Sequence, residues 1–192
     1  MGIMMALHSR SSSGNGQVVD AGLSDGAAYA SSFLFSSQHQ LPMMWPAPRG
    51  HNVLDSGCPY YNTYETSDKR YIAVGSLEPQ FYQNLIKGLG LEDQDLPSQM
   101  DFTKWHKLAA LFTETIKSKT QKEWADIFST LDACVTPVLS FDEAVEHPHN
   151  IARGMFLDNK EPSPSPKLSG TLLISLNYYS FKTSLHVRLH AI

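Results

Sequence analysis

From Tyr60 to Gly90 the chain passes through a strand pattern, a polar turn, a second strand pattern and a helix pattern with few connecting residues, and no other stretch limits the fold so tightly. Tyr60 to Thr66 and Tyr71 to Val74 are rich in aromatic and β-branched residues around the turn Ser67-Asp68-Lys69-Arg70, which predicts a hairpin. The second strand leads through Gly75-Ser76-Leu77 to Glu78 and Pro79. Proline suits the first helical position because its missing N–H would be unpaired there, so Glu78 falls at the N-cap, where the helix dipole favours a carboxylate. Taken without context, a plain helix cap is the simpler reading of Glu78.

The helix from Pro79 is predicted to end near Gly88 and Gly90. Another runs from an Asp101 cap to Ile116, with Trp105, Leu108 and Phe112 on the same face. Thr120-Gln121-Lys122-Glu123 and Ser140-Phe141-Asp142-Glu143 carry the reciprocal capping pattern of two further helix starts. Ala133 to Leu139 reads as a buried strand, His147-Pro148-His149 as a helix stop, and Arg153 to Leu157 as extended chain. Upstream, Gly2 to His8 reads as the last turns of a helix and Ser9 to Gly16 as a loop. Gln17 to Asp20 reads as a short strand and Leu23 to Gln38 as a largely buried helix. Prolines 42, 46 and 48 mark the expected crossing between two domains, and Pro162, Pro164 and Pro166 forbid regular structure after Glu161. The pattern is α/β, with a mixed α+β arrangement in the middle of the chain and no internal repeat.

With 192 residues, 42% of them hydrophobic and 18% charged, the chain can bury a core in one or two domains. A net charge of −4 and a pI near 6.0 argue against nucleic acid or an anionic membrane as a partner held by bulk electrostatics. The apolar run Leu172 to Leu176 is far short of a membrane span. Two cysteines in dissimilar contexts, Cys58 and Cys134, imply free thiols. Met1 to Leu7 lacks a basic leader, Ala6 stands where a myristoylation motif needs Ser or Thr, and the end His190-Ala191-Ile192 is unlike Ser-Lys-Leu, so no targeting signal is expected.

The run Trp45 to Tyr61 around Arg49-Gly50-His51-Asn52-Val53-Leu54-Asp55, the run Leu77-Glu78-Pro79-Gln80-Phe81-Tyr82, Lys87-Gly88-Leu89-Gly90-Leu91 and Asp132-Ala133-Cys134-Val135-Thr136-Pro137-Val138 together resemble the 2-methylacyl-CoA racemase branch of the family III CoA-transferases. The similarity runs from about Gly2 to about Leu172. It implies a partial family III fold: residues 1–40 as the end of the large CoA-binding domain, 41–157 as a small α+β domain, and 158–192 as a proline-rich return segment with a divergent tail. It also implies a truncated or alternatively spliced form, because the family's catalytic histidine and aspartate lie in a region with no counterpart here.

The family reaction removes the proton beside a thioester carbonyl and returns one to the opposite face, with an enolate between. The site therefore needs two acid/base groups and donors to the thioester oxygen. By resemblance, Glu78 matches the glutamate that orients the histidine and stabilises its charged form, and Tyr61 and Leu77 match positions lining the acyl pocket. From the residues alone, Tyr61 and Leu77 fit an ordinary hairpin core as well. The resemblance implies an acyl-CoA substrate, no metal or redox cofactor, a homodimer or pairing with a full-length partner chain, and a peroxisomal and mitochondrial setting.

Substitutes for the missing bases are not evident. His39 and His51 sit in loop-like sequence, and Asp20 and Asp25 read as helix-start residues. His147 and His149 with Cys58 or Cys134 lack a metal-ligand pattern, and Arg49 lacks a phosphate loop. This chain alone is therefore expected to be inactive. The alternatives are a non-catalytic dimerising fragment and a CoA transferase of the same family using an aspartate nucleophile. The Leu-Glu-Pro-Gln-Phe-Tyr run, with no run of glycines after the hairpin, favours racemisation over transfer.

Overall fold

A computed structural model describes residues 1–170, so the expectations for the tail beyond Leu172 lie outside the described residues. The chain divides into two compact units, Met1–Pro137 and a second beginning at Val138.

In the first unit, α1 (Gly2–Ser13), α2 (Leu23–Ala30) and α3 (Ser32–Gln40) bury almost nothing. Three expectations are corrected here. The loop expected from Ser9 is helical through Ser13, and the turn out of the helix comes at Gly14, whose φ of +74° and N–H bond to Arg10 O form a left-handed C-cap. Residues 17–20 form no strand, since none lies beside them to complete a ladder. The helix expected from Leu23 to Gln38 is two helices, and Tyr29, Phe33 and Phe35 are exposed rather than buried. Ser37 is the buried residue of α3; its hydroxyl accepts the Trp45 indole N–H at 2.9 Å.

The hairpin forms as expected. Strands β1 (Tyr61–Glu65) and β2 (Tyr71–Gly75) pair antiparallel with Thr63 opposite Ala73, and β3 (Val135–Pro137) adds to β2 with Thr136 opposite Ala73. The segment from Ala133 to Leu139 is thus a short strand at the sheet edge, half-buried at Val135 and exposed at Thr136, and not the buried strand expected. A strand at an edge has a neighbour on one side alone, and its alternate side chains here point away from the core.

Helices α4 (Pro79–Leu89), α5 (Trp105–Ile116) and α6 (Gln121–Phe128) cover one face of the sheet. Their buried residues fall at helical spacing: Leu85, Ile86 and Leu89 on α4, Trp105, Leu108, Phe112 and Ile116 on α5, Trp124 and Phe128 on α6. From the sheet, Tyr64, Ile72 and Val74 meet them. Thr120 caps α6 with both bonds of a capping box, and the turn of the hairpin docks on the same helix start, where Asp68 accepts Gln121 N–H at 3.1 Å.

In the second unit, Ser140 and Glu143 form the second capping box, which opens α7 (Phe141–Glu146). The expected helix stop at Pro148 is also a start. Proline occupies the first turn of α8 (Pro148–Ala152), where it needs no N–H partner. The extended pattern expected from Arg153 is confined to a bridge between Phe156 and Pro162, because α8 runs on to Ala152 and Gly154 turns the chain with φ +55°.

Candidate functional site

The sheet has two unlike faces because its side chains alternate. Tyr64, Ile72 and Val74 point into the core, so Tyr61, Thr63, Ala73, Gly75 and Thr136 share the face opposite α4, α5 and α6. These are mostly small side chains, and with Leu54, Ser56 and Cys134 they line an open groove of about 470 Å³. Tyr61, 43% exposed, walls one end; a β carbon on Gly75 would stand 3.8 Å from its ring.

Beyond Gly75 the chain is held tightly. Ser76 is fully buried and bridges two segments: its N–H donates to Tyr60 O at 2.8 Å and its hydroxyl to Ala133 O at 2.5 Å. Gly75 N–H donates to Cys134 O at 2.9 Å, and Gln99 Nε2 donates to Leu77 O at 2.9 Å. Glu78 then stands at the N-cap of α4 with extended backbone, φ −75° and ψ 144°, and Pro79 opens the helix as expected. Its exposed carboxylate makes no capping bond, and no hydrogen bond or ion pair joins it to another described residue.

Cys134 follows the buried Ala133 with positive φ (52°), which turns its side chain toward the groove. Partial desolvation, then the carboxylates of Asp132 and Glu78, push its thiol above the ordinary value. Glu78 is thus electrostatically coupled to a groove residue, while Leu77 packs against the core instead of lining the groove. Of the three residues singled out from sequence, Tyr61 lies in the groove and Glu78 is coupled to it. Thr63, Ala73, Gly75, Cys134 and Thr136 were missed there. Their signal was the alternation of small residues with Tyr64, Ile72 and Val74.

The other candidates are dispersed. His39 and His51 are exposed, Asp25 lies in the first turn of α2, and Asp20 is in the segment before it. Among the described residues no cluster of His, Cys, Asp and Glu is arranged to hold a metal ion. Cys58 and Cys134 are unpaired, the first buried with its thiol pushed up to about 11 by desolvation. Among the described residues no helix is long and apolar enough to cross a membrane.

The loop that brings Leu54 and Ser56 to the groove is tied by Asp55, whose carboxylate accepts Gly50 N–H at 2.9 Å, Asn52 N–H at 2.6 Å and Asn52 Nδ2 at 2.7 Å. Desolvation opposes its charge, but the Asn52 side chain, the two N–H groups and nearby His51 outweigh it and hold the carboxyl below its ordinary value. A depressed carboxyl stabilises the fold above its unfolded value, about 3.9, and the contribution is lost as pH falls through the lower folded value. The amide resonances of Gly50 and Asn52 are therefore expected to hold their positions down to about pH 4 and move together in stronger acid. Movement centred above that pH would show that Asp55 is not their anchor.

The sequence profile of CoA-transferase family III matches residues 1–184, past the point near Leu172 where resemblance was expected to stop. The chain is 48% identical over 182 residues to the alpha-methylacyl-CoA racemase of Homo sapiens, covering 95% of this chain and 47% of that protein. It is 49% identical over 168 residues to the Mus musculus alpha-methylacyl-CoA racemase, covering 87% and 43%. The chain thus spans about half the length of the curated relatives it matches. A crystal structure of a hypothetical protein from Mycobacterium tuberculosis superposes with a TM-score of 0.59 at 20% identity, over 82% of this chain and 41% of that one, which shows a shared fold. The expected fold class, mixed helices with a small antiparallel sheet and part of a family III fold, is what the described residues adopt.

Proposed function

We propose that this chain, which belongs to CoA-transferase family III, supplies the glutamate-bearing part of a site that epimerises 2-methylacyl-CoA thioesters. The observation that carries this reading is its similarity, along nearly its whole length, to alpha-methylacyl-CoA racemases. The groove beside Tyr61 and the carboxylate of Glu78, unpaired among the described residues, support it. In this reading Glu78 orients a histidine and stabilises its imidazolium, Tyr61 flanks the acyl group, and the proton leaves one face of the α-carbon and returns to the other. Acyl-CoA is the substrate. Branched-chain fatty acyl and bile-acid thioesters are the class, no metal or redox cofactor takes part, and the setting is lipid metabolism in peroxisomes and mitochondria.

The histidine and aspartate come from outside the matched stretch, so the chain alone is expected to show no exchange of the α-proton in deuterated water, read by mass spectrometry on (2R)-2-methylacyl-CoA. Losing an acid/base group removes orders of magnitude in rate. Mixed with a full-length racemase whose own glutamate is replaced by glutamine, the chain is expected to restore exchange, and Glu78→Gln to abolish the restoration. Absence of exchange in every mixture, with the two chains shown to associate, would sink the reading.

A second reading, a non-catalytic fragment that pairs with a full-length racemase, is favoured by the exposed apolar residues of α1 to α3. Ile3, Met4, Met5, Leu23, Tyr29, Phe33 and Phe35 all face solvent in this chain, more apolar surface than a monomer usually leaves open. Co-elution without any restored exchange would select it.

A further inference from the structure

Among the described residues the carboxylate of Glu78 has no hydrogen-bond or ion-pair partner, so what the surrounding structure fixes is the backbone from which the side chain departs. The peptide joining Leu77 to Glu78 is a rigid plane, and its carbonyl oxygen is the Leu77 O that Gln99 holds. Gln99 Nε2 lies 2.9 Å from that oxygen and 3.5 Å from Ser76 O, so one side-chain amide reaches two successive carbonyls. Gln99 is itself fixed, because its carbonyl accepts the indole N–H of the buried Trp105 at 3.0 Å. Trp105 begins α5, which packs on α4 and β1. A connected path therefore runs from the core through Trp105 and Gln99 to the peptide plane of Glu78, across more than twenty residues of sequence.

We infer that Gln99 is a positioning residue for Glu78, setting the direction in which its side chain leaves the backbone by clamping the Leu77 carbonyl. The inference rests on the role proposed above for Glu78, because a plain helix cap would have no direction to keep. Ser76 fixes the position of the segment by its bonds to Tyr60 and Ala133; Gln99 fixes the orientation of the next peptide, a separate degree of freedom.

Cys134 provides a readout independent of turnover. Its thiol feels Glu78 and Asp132, and it is exposed whereas Cys58 is buried, so peptide-resolved alkylation with iodoacetamide reports on it alone. Glu78→Gln is expected to raise the Cys134 alkylation rate at pH 8 about two- to threefold, by removing one of the two nearby negative charges. In the background of Gln99→Met, which keeps the side-chain length and removes both donors, the same Glu78→Gln change is expected to alter the rate by less than about 1.5-fold. Gln99→Asn, whose shorter amide falls short of Leu77 O, is expected to behave as Gln99→Met does and guards against a variant that fails to fold. Circular dichroism on each variant establishes that the fold is kept. An undiminished effect of Glu78→Gln in a folded Gln99 variant overturns the inference. Restored exchange in the mixed-chain assay bears on the racemase reading, and the alkylation series on Gln99, so failure of the inference is distinguishable from failure of that reading.

Discussion

Trp124→Ala is expected to unfold the first unit or leave it barely stable, at a cost of about 5 kcal/mol. The ring is almost fully buried, tilts against Phe128 at 6.0 Å between centroids, and carries Lys119 over its face at 4.7 Å. Deleting a large aromatic ring from a core costs about 3–5 kcal/mol through lost burial and the cavity left behind. A second loss adds to it. The indole N–H donates to Ile116 O at 2.8 Å, one of the terminal carbonyls of α5, and its removal leaves that carbonyl with the long bond from Lys119 N–H at 3.4 Å, a loss of about 1 kcal/mol. Whole-domain stabilities are about 5–15 kcal/mol, so the sum is a large share of the total. Urea unfolding followed by circular dichroism measures it, and Trp124→Phe separates the terms by keeping most of the ring and losing the bond. If Trp124→Phe costs as much as Trp124→Ala, the hydrogen bond dominates and the packing account is wrong.

The next largest effect comes from adding one carbon. Gly88 lies in α4, and a β carbon there would stand 2.2 Å and 2.7 Å from ring carbons of Phe128, closer than real contacts allow. An exposed helical Gly→Ala change gains about 1 kcal/mol from the backbone. Here the ring is buried against Trp124 and cannot swing away, so Gly88→Ala is expected to destabilise by about 2 kcal/mol net, overpacking costing about 1–3 kcal/mol or more. The sign of the change identifies the cause. Combining it with Phe128→Leu, which vacates the ring position, is expected to give a double variant less destabilised than the two single changes added together. Simple additivity would mean the close approach of α4 and α6 at Gly88 is not what forbids a side chain.

Most of the core was legible from the sequence because its rules are local. The hairpin followed from aromatic and β-branched runs around a polar turn, α4 from Glu78 and Pro79, α5 from the spacing of Trp105, Leu108, Phe112 and Ile116, and α6 and α7 from their capping boxes. The errors concern residues whose state depends on a distant partner. Phe33 and Phe35 are as apolar as core residues, but burial needs a second surface, and apolarity alone does not name one. Pro148 ends one helix and begins another with the same ring, a choice its own sequence context leaves open. In the site, Glu78 could be placed because a helix start is a local signal. Gln99 could not, because its bond to Leu77 O joins segments with a whole helix between them. Cys134 enters the groove through a positive φ that no turn residue announced.

The alternation along β2 places two kinds of selection on neighbouring residues. Ile72 and Val74 answer to the core, where every methyl group is in contact, while Ala73 and Gly75 answer to whatever the groove must hold. Because the side chains of Ala73 and Thr136 point away from the helices, the groove can be widened or narrowed at either with little change in the core. Shape on one side of the sheet can therefore change while the other side stays fixed.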